Sequence, residues 1–117
     1  MPISIPIEDS YTDIIGKAQR GLSINDEALA AKSGATVAEI LILKSGELQE
    51  PLLRQVAGVL GLGANALLAL AKSSYQPAPV HEPEGLAHFN TVFEDMTVNS
   101  YLVWDPASKE AAFFDTG

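Results

Sequence analysis

The 117 residues hold 15 Asp and Glu against 7 Lys and Arg, a net charge of −8 at a pI near 4.5, with no cysteine. That length allows one ordinary domain or two small ones, and an apolar fraction of 47% suffices for a core. With no cysteine, disulfides, thiolate nucleophiles and Cys-ligated zinc are excluded, and the acid excess sets the chain against phosphate backbones and anionic lipid headgroups.

The N-terminus, Met1-Pro-Ile-Ser-Ile-Pro-Ile7, has no basic start. No window approaches the roughly 18 unbroken apolar residues of a spanning helix. The expectation is a cytoplasmic chain with no membrane partner. Residues 1–75 then read as a helical domain, with helices at about 10–19, 25–33, 36–45, 51–60 and 64–73. Ser10 with Asp13 and Thr36 with Glu39 have capping-box spacing, Pro51 suits a first helical turn, and Gly21, Gly34, Gly46, Gly61 and Gly63 punctuate the ends. The predicted core faces carry Ile14, Ile15 and Ala18, then Leu29 and Ala30, then Val37, Ile40 and Leu43, then Leu53, Val56 and Leu60, and last Leu67, Leu68 and Ala71. Helices this short need one another, so a single bundle is expected.

Residues 76–85, with three prolines, two acids and a glycine, read as a linker. Beyond it, 86–117 alternates like strands in Phe89–Phe93 and Val98–Trp104, turns at Asp105-Pro-Ala-Ser-Lys109, and returns through 110–115. Residues 1–75 hold six bases and eight acids, whereas 76–117 hold one base and seven acids. The fold class is α+β, a five-helix bundle followed by a short antiparallel β-meander.

Residues 26–47 resemble the helix-turn-helix of the Cro and phage-repressor family, through Leu29-Ala30, Gly34, Ile40, Leu43 and Ser45-Gly46-Glu47, with Leu52 to Leu62 similar to that family's fourth helix. The resemblance spans about residues 10–73 and implies that bundle. DNA-reading members place Gln, Ser, Arg or Lys at the start of the second helix, where such side chains reach bases and phosphates. Here Val37, Ala38, Glu39, Leu41 and Ile42 stand there, and Lys44 alone is basic. The unbroken run Ile40-Leu-Ile-Leu43 is apolar on more than one helix face, which marks Leu41 and Ile42 as a contact surface.

Residues 86–117, above all Asn99-Ser100-Tyr101-Leu102 and Asp105-Pro106 followed by Asp115-Thr-Gly117, resemble the opening hairpin of the metallo-β-lactamase fold, close to its glyoxalase II-like hydrolases. The resemblance implies that Asp115 supports the metal-ligand loops without being a ligand. It also implies that zinc or other divalent metals are bound downstream of Asp-Thr-Gly, by a His-x-His-x-Asp-His motif past Gly117. His81 and His88 fit no ligand spacing, so these residues supply no catalytic group and no metal ligand.

The resulting expectation is the N-terminal region of a metal-dependent thioesterase or glyoxalase II-like hydrolase, catalytically incompetent by itself, with its helix-turn-helix repurposed for assembly. The alternative is a repressor-like DNA-binding regulator dimerised by its C-terminal strands, with Thr36 and Lys44 as DNA contacts, and a third reading is an interaction module with neither activity. Self-association is expected, with the C-terminal strands either paired between chains or poorly ordered, because Phe89, Phe93, Trp104, Phe113 and Phe114 would face water unless another chain or the helical bundle covers them.

Overall fold

The computed structural model describes residues 2–116 and has the α+β class that the sequence predicts. The described residues divide into two compact units, a helical unit over Asp9–Tyr75 and a strand unit made of residues 2–8 and 76–116.

The helical unit runs α1 (Tyr11–Leu22), α2 (Asp26–Ser33), α3 (Val37–Lys44), α4 (Glu50–Leu60) and α5 (Ala64–Ala71). Both predicted capping boxes form. The Asp13 amide donates to Ser10 Oγ at 3.2 Å while the Ser10 amide donates to the Asp13 carboxylate at 2.9 Å, and Thr36 and Glu39 repeat the exchange at 3.2 and 2.8 Å. Gly34, at φ 73°, closes α2 in the left-handed conformation that glycine adopts without a Cβ clash. Gly21 departs from expectation. It lies inside α1, which runs on to Leu22 because Ser23 takes the left-handed cap at φ 55° and the amides of Ser23 and Ile24 close on Arg20 and Gln19.

Ile15, Leu29, Ile40, Leu43, Leu53 and Val56 are fully buried, one or two from each of the first four helices, and Leu67 and Leu68 bring α5 into the same core. At about 1.5–3 kcal/mol per buried aliphatic side chain, this shared core stabilises helices that are too short to persist alone. Two core members escape hydrophobic patterning. Tyr11 is buried with its hydroxyl donating to the Leu43 carbonyl at 2.9 Å, which ties the start of α1 to the end of α3. Burial first, and the Glu47 carboxylate second, push its phenol pKa up. Gln19 is the other.

The strand unit contains β1 (Pro2–Ile3), β2 (Val80–His81), β3 (Leu86–Phe93), β4 (Met96–Trp104) and β5 (Ala111–Phe114). β3, β4 and β5 form an antiparallel meander in that order, with Leu86 opposite Val103, Phe93 opposite Met96 and Tyr101 opposite Phe114. The β1–β2 pair corrects the predicted organisation: residues 1–8 belong with the strands, and the 76–85 segment contains a strand. Pro6 contributes to the first point, since proline disfavours helical backbone in the residue before it, here Ile5.

Gly85 begins the meander at φ 86°, and a Cβ there would come within 2.5 Å of the Trp104 carbonyl oxygen, so no other residue fits this approach. At the far end, the Asp105 carboxylate accepts from the Ala107 amide at 3.0 Å and the Ser108 hydroxyl at 2.8 Å, which builds the predicted Asp-Pro turn.

Candidate functional site

On α3, helical geometry turns each residue about 100° from the last. Ile40 and Leu43 therefore point into the core, whereas Leu41 and Ile42 are 52% and 39% exposed. The contact surface expected at Leu41 and Ile42 is open to solvent.

The two residues named as DNA contacts are both engaged in holding the fold. Thr36 is the N-cap of α3, its hydroxyl and amide both taken up with Glu39. Lys44 directs Nζ to Asp26 Oδ1 at 2.7 Å, joining the end of α3 to the start of α2. Gln19 completes this clamp from α1: its Nε2 donates to Asp26 Oδ1 at 2.9 Å and to the Ile24 carbonyl at 3.3 Å. The Lys44 hydrogen bond, followed by that from Gln19, holds the Asp26 carboxyl below the usual carboxylate range. Sequence spacing gave no sign of this triad, whose members lie seven and eighteen residues apart. It borders a surface groove of about 390 Å³, also lined by Arg20 and Asn25.

The clamp has a pH consequence. Because the folded pKa of Asp26 is depressed, the stability it contributes is fully present above the unfolded value of about 3.9 and is lost as pH falls through the folded value. The helical unit should therefore weaken below about pH 4, and Asp26→Asn should make that acid limb shallower. An unchanged limb in circular-dichroism melts from pH 2 to 7 would contradict the assignment.

Elsewhere in the helical unit, Lys17 pairs with Asp9 at 2.5 Å, and Arg54 and Lys72 pair with Glu50 at 3.5 and 2.9 Å. Of the six bases in 1–75, Arg20 and Lys32 alone lack an ion pair among the described residues. A duplex binder draws affinity from several phosphate contacts and the counterions they release. Binding to duplex DNA at 150 mM salt is expected to be weaker than about 10⁻⁶ M by fluorescence anisotropy. An operator selected from random sequence and bound at nanomolar affinity, with loss on Lys44→Ala, would overturn this.

In the strand unit the polar centre is Asn99, which is 8% exposed. Its Nδ2 donates to the Pro6 carbonyl at 2.8 Å, while its Oδ1 receives Asn90 Nδ2 at 3.0 Å and lies 2.8 Å from His88 Nε2. With the amide oriented by Pro6, His88 must carry its proton on Nε2 to make this bond. The next residue, Ser100, donates its hydroxyl to the Asp115 carbonyl. Strand alternation places His88, Asn90, Asn99, Tyr101 and Phe114 on one face of the meander, and Phe89, Phe93, Met96, Leu102 and Phe113 on the other, where the Phe89 and Phe113 rings stack at 6.0 Å.

Among the described residues, no three His, Cys, Asp or Glu side chains converge to hold a metal ion. His88 turns Nε2 to Asn99, and Asp115 contributes a backbone carbonyl. The residues present do not fit a divalent-metal site. Among the described residues, too, no helix is long and apolar enough to cross a membrane.

No family model and no curated protein matches the chain. Among solved structures it is similar to one described as the crystal structure of Fe(II) HppE, at 17% identity and a TM-score of 0.42, over 81% of this chain and 52% of that one. The chain thus spans about half of that protein's length, and a likeness of this degree carries no argument about chemistry.

Proposed function

We propose that the chain is the N-terminal region of a metal-dependent hydrolase of the thioesterase or glyoxalase II-like kind, whose helical unit serves assembly or interaction instead of DNA reading. The observation that carries this reading is the Ser100 to Asp115 hydrogen bond. It joins the Asn99-Ser-Tyr-Leu strand to the Asp115 end of the returning strand, the two sequence elements that resemble the metallo-β-lactamase opening, at one edge of the same sheet. The exposed aromatic residues on both faces of the meander, Phe89 and Phe113 on one and Phe114 on the other, suit a sheet that takes further layers. In the helical unit, the ion-paired bases and the Val37-Ala-Glu39 start of α3 favour interaction over DNA.

In this reading Asp115 supports ligand loops contributed by other residues, which bind zinc or another divalent metal. The 117 residues supply no catalytic group. The test is the reading frame past the Gly117 codon and the product it encodes. A His-x-His-x-Asp-His motif within a few tens of residues, with metal-dependent hydrolysis of a glutathione or CoA thioester, is expected. A frame without that motif would overturn the reading. Zinc titrated calorimetrically into the 117-residue chain should show no stoichiometric site, and tight one-to-one binding would count against the proposal.

We also propose self-association. Val92 is 74% exposed, and Phe93 and Phe114 exceed half exposure, so both faces of the meander carry large apolar side chains that a second copy could cover. Light scattering at tens of micromolar should return a mass above 12.4 kDa.

A further inference from the structure

Residues 2–8 do more for the strand unit than pair β1 with β2. β4 is nine residues long, and β5 pairs only with its Tyr101–Trp104 half. The Met96–Ser100 stretch therefore has no strand on that side among the described residues. The direction of its amides follows from pleat parity: the Asp105 amide points to the β5 side, where it donates to the Glu110 carbonyl at 2.9 Å. Asn99 lies six residues earlier, an even number, so its amide points the same way, as does that of Thr97. Such unpaired donors and acceptors are a template for another strand.

The N-terminal arm closes this opening. The Glu8 carboxylate accepts the Asn99 amide, the Pro6 carbonyl accepts Asn99 Nδ2 at 2.8 Å, and the two-residue ladder of β1 with β2 anchors the arm's start. The arm satisfies the edge at Asn99 without continuing it, and Thr97 has no such partner among the described residues. A side-chain carboxylate stands where a strand carbonyl would, and Pro2 and Pro6 have no amide to pass a ladder on.

The partner that would replace the arm is already in the chain. β3, Leu-Ala-His-Phe-Asn-Thr-Val-Phe, is the other edge of the meander, eight residues with no Lys, Arg, Asp, Glu or Pro. Its outward amides are at Leu86, His88, Asn90 and Val92. The first two are capped, Leu86 by the Pro83 carbonyl at 3.2 Å and His88 by the Glu82 carboxylate at 3.2 Å. Asn90 and Val92 have no such cap among the described residues. An uncharged edge on β3 and a guarded edge on β4 are different surfaces, so pairing between copies would be heterologous, which grows as an open chain unless its rotation closes a ring.

We infer that the N-terminal arm is an edge guard, which keeps the open half of β4 from pairing head-to-tail with β3 of a second copy. Burial of apolar faces gives a finite assembly, whereas release of the arm gives an open-ended one.

Three variants test this. Deletion of residues 2–8 should convert the finite mass into species that grow at least tenfold with concentration in light scattering. Adding Val92→Pro, which removes an outward amide at an exposed position, should return the deletion variant to the parent mass. In the intact chain, Glu8→Ala should speed exchange of the Asn99 amide at least tenfold while amides in α4 keep their rates. An unchanged mass on deletion, growth that survives Val92→Pro, or an Asn99 amide indifferent to Glu8→Ala would each overturn the inference. If the deletion variant fails to fold, the exchange measurement decides alone.

Discussion

Ile40→Ala is expected to lower the stability of the helical unit by about 2–5 kcal/mol, whereas Leu41→Lys and Ile42→Lys, one and two residues on, should each shift it by no more than about 0.5 kcal/mol. The difference lies in which face of α3 each residue occupies. Ile40 is fully buried in the shared core, and truncating it removes apolar contact and leaves a cavity that the rest of the core refills only in part. Leu41 and Ile42 already face solvent, and Lys has ample helix propensity there. Urea denaturation followed at 222 nm measures all three. The proposed contact role adds a second readout, because the two lysine variants should lower the associated mass without lowering stability. Destabilisation of Leu41→Lys as large as that of Ile40→Ala would show that the surface is packed against something, and normal association in both lysine variants would remove α3 from the interface.

Local chemistry made much of this fold readable in the sequence. Ser10 and Thr36 each stand three residues before an acid, and the reciprocal bonds form as that spacing predicts. Gly34 and Gly61 end helices in the left-handed region because nothing else does so as cheaply. Hidden from that reading were contacts joining residues distant in sequence. Lys44 reads as the one base of a would-be recognition helix, and only the folded bundle brings Asp26 and Gln19 to it. Tyr11 sits at a polar-looking helix start, yet its hydroxyl finds the Leu43 carbonyl thirty-two residues on. The eight-residue arm carries too little periodicity to declare a partner, since a two-residue strand is defined by what it pairs with. Asn99 was legible only as part of a motif. Its place at the meeting of β3, β4 and the arm depends on the register, which alternation alone leaves open.

Asn99→Ala is expected to destabilise the strand unit by about 1–3 kcal/mol and to leave the helical unit's own melt in place. The side chain makes three hydrogen bonds, to His88, Asn90 and Pro6, from a site that is 8% exposed. At a net ~1 kcal/mol each, their sum sets the upper end. The lower end applies because His88 and Asn90 retain enough access to recover bonds to water. Trp104, the sole tryptophan, lies in β4, so its fluorescence reports this unit while ellipticity at 222 nm reports the helices. The early loss should appear in the first signal. A double-mutant cycle with His88→Ala separates the hydrogen bond from packing: a coupling of about 0.5–1.5 kcal/mol is expected for a real bond. Additive losses would mean that His88 is held by its contact with the Tyr101 ring, whose centroid is 5.3 Å away, and that Asn99 acts only through Pro6 and Asn90.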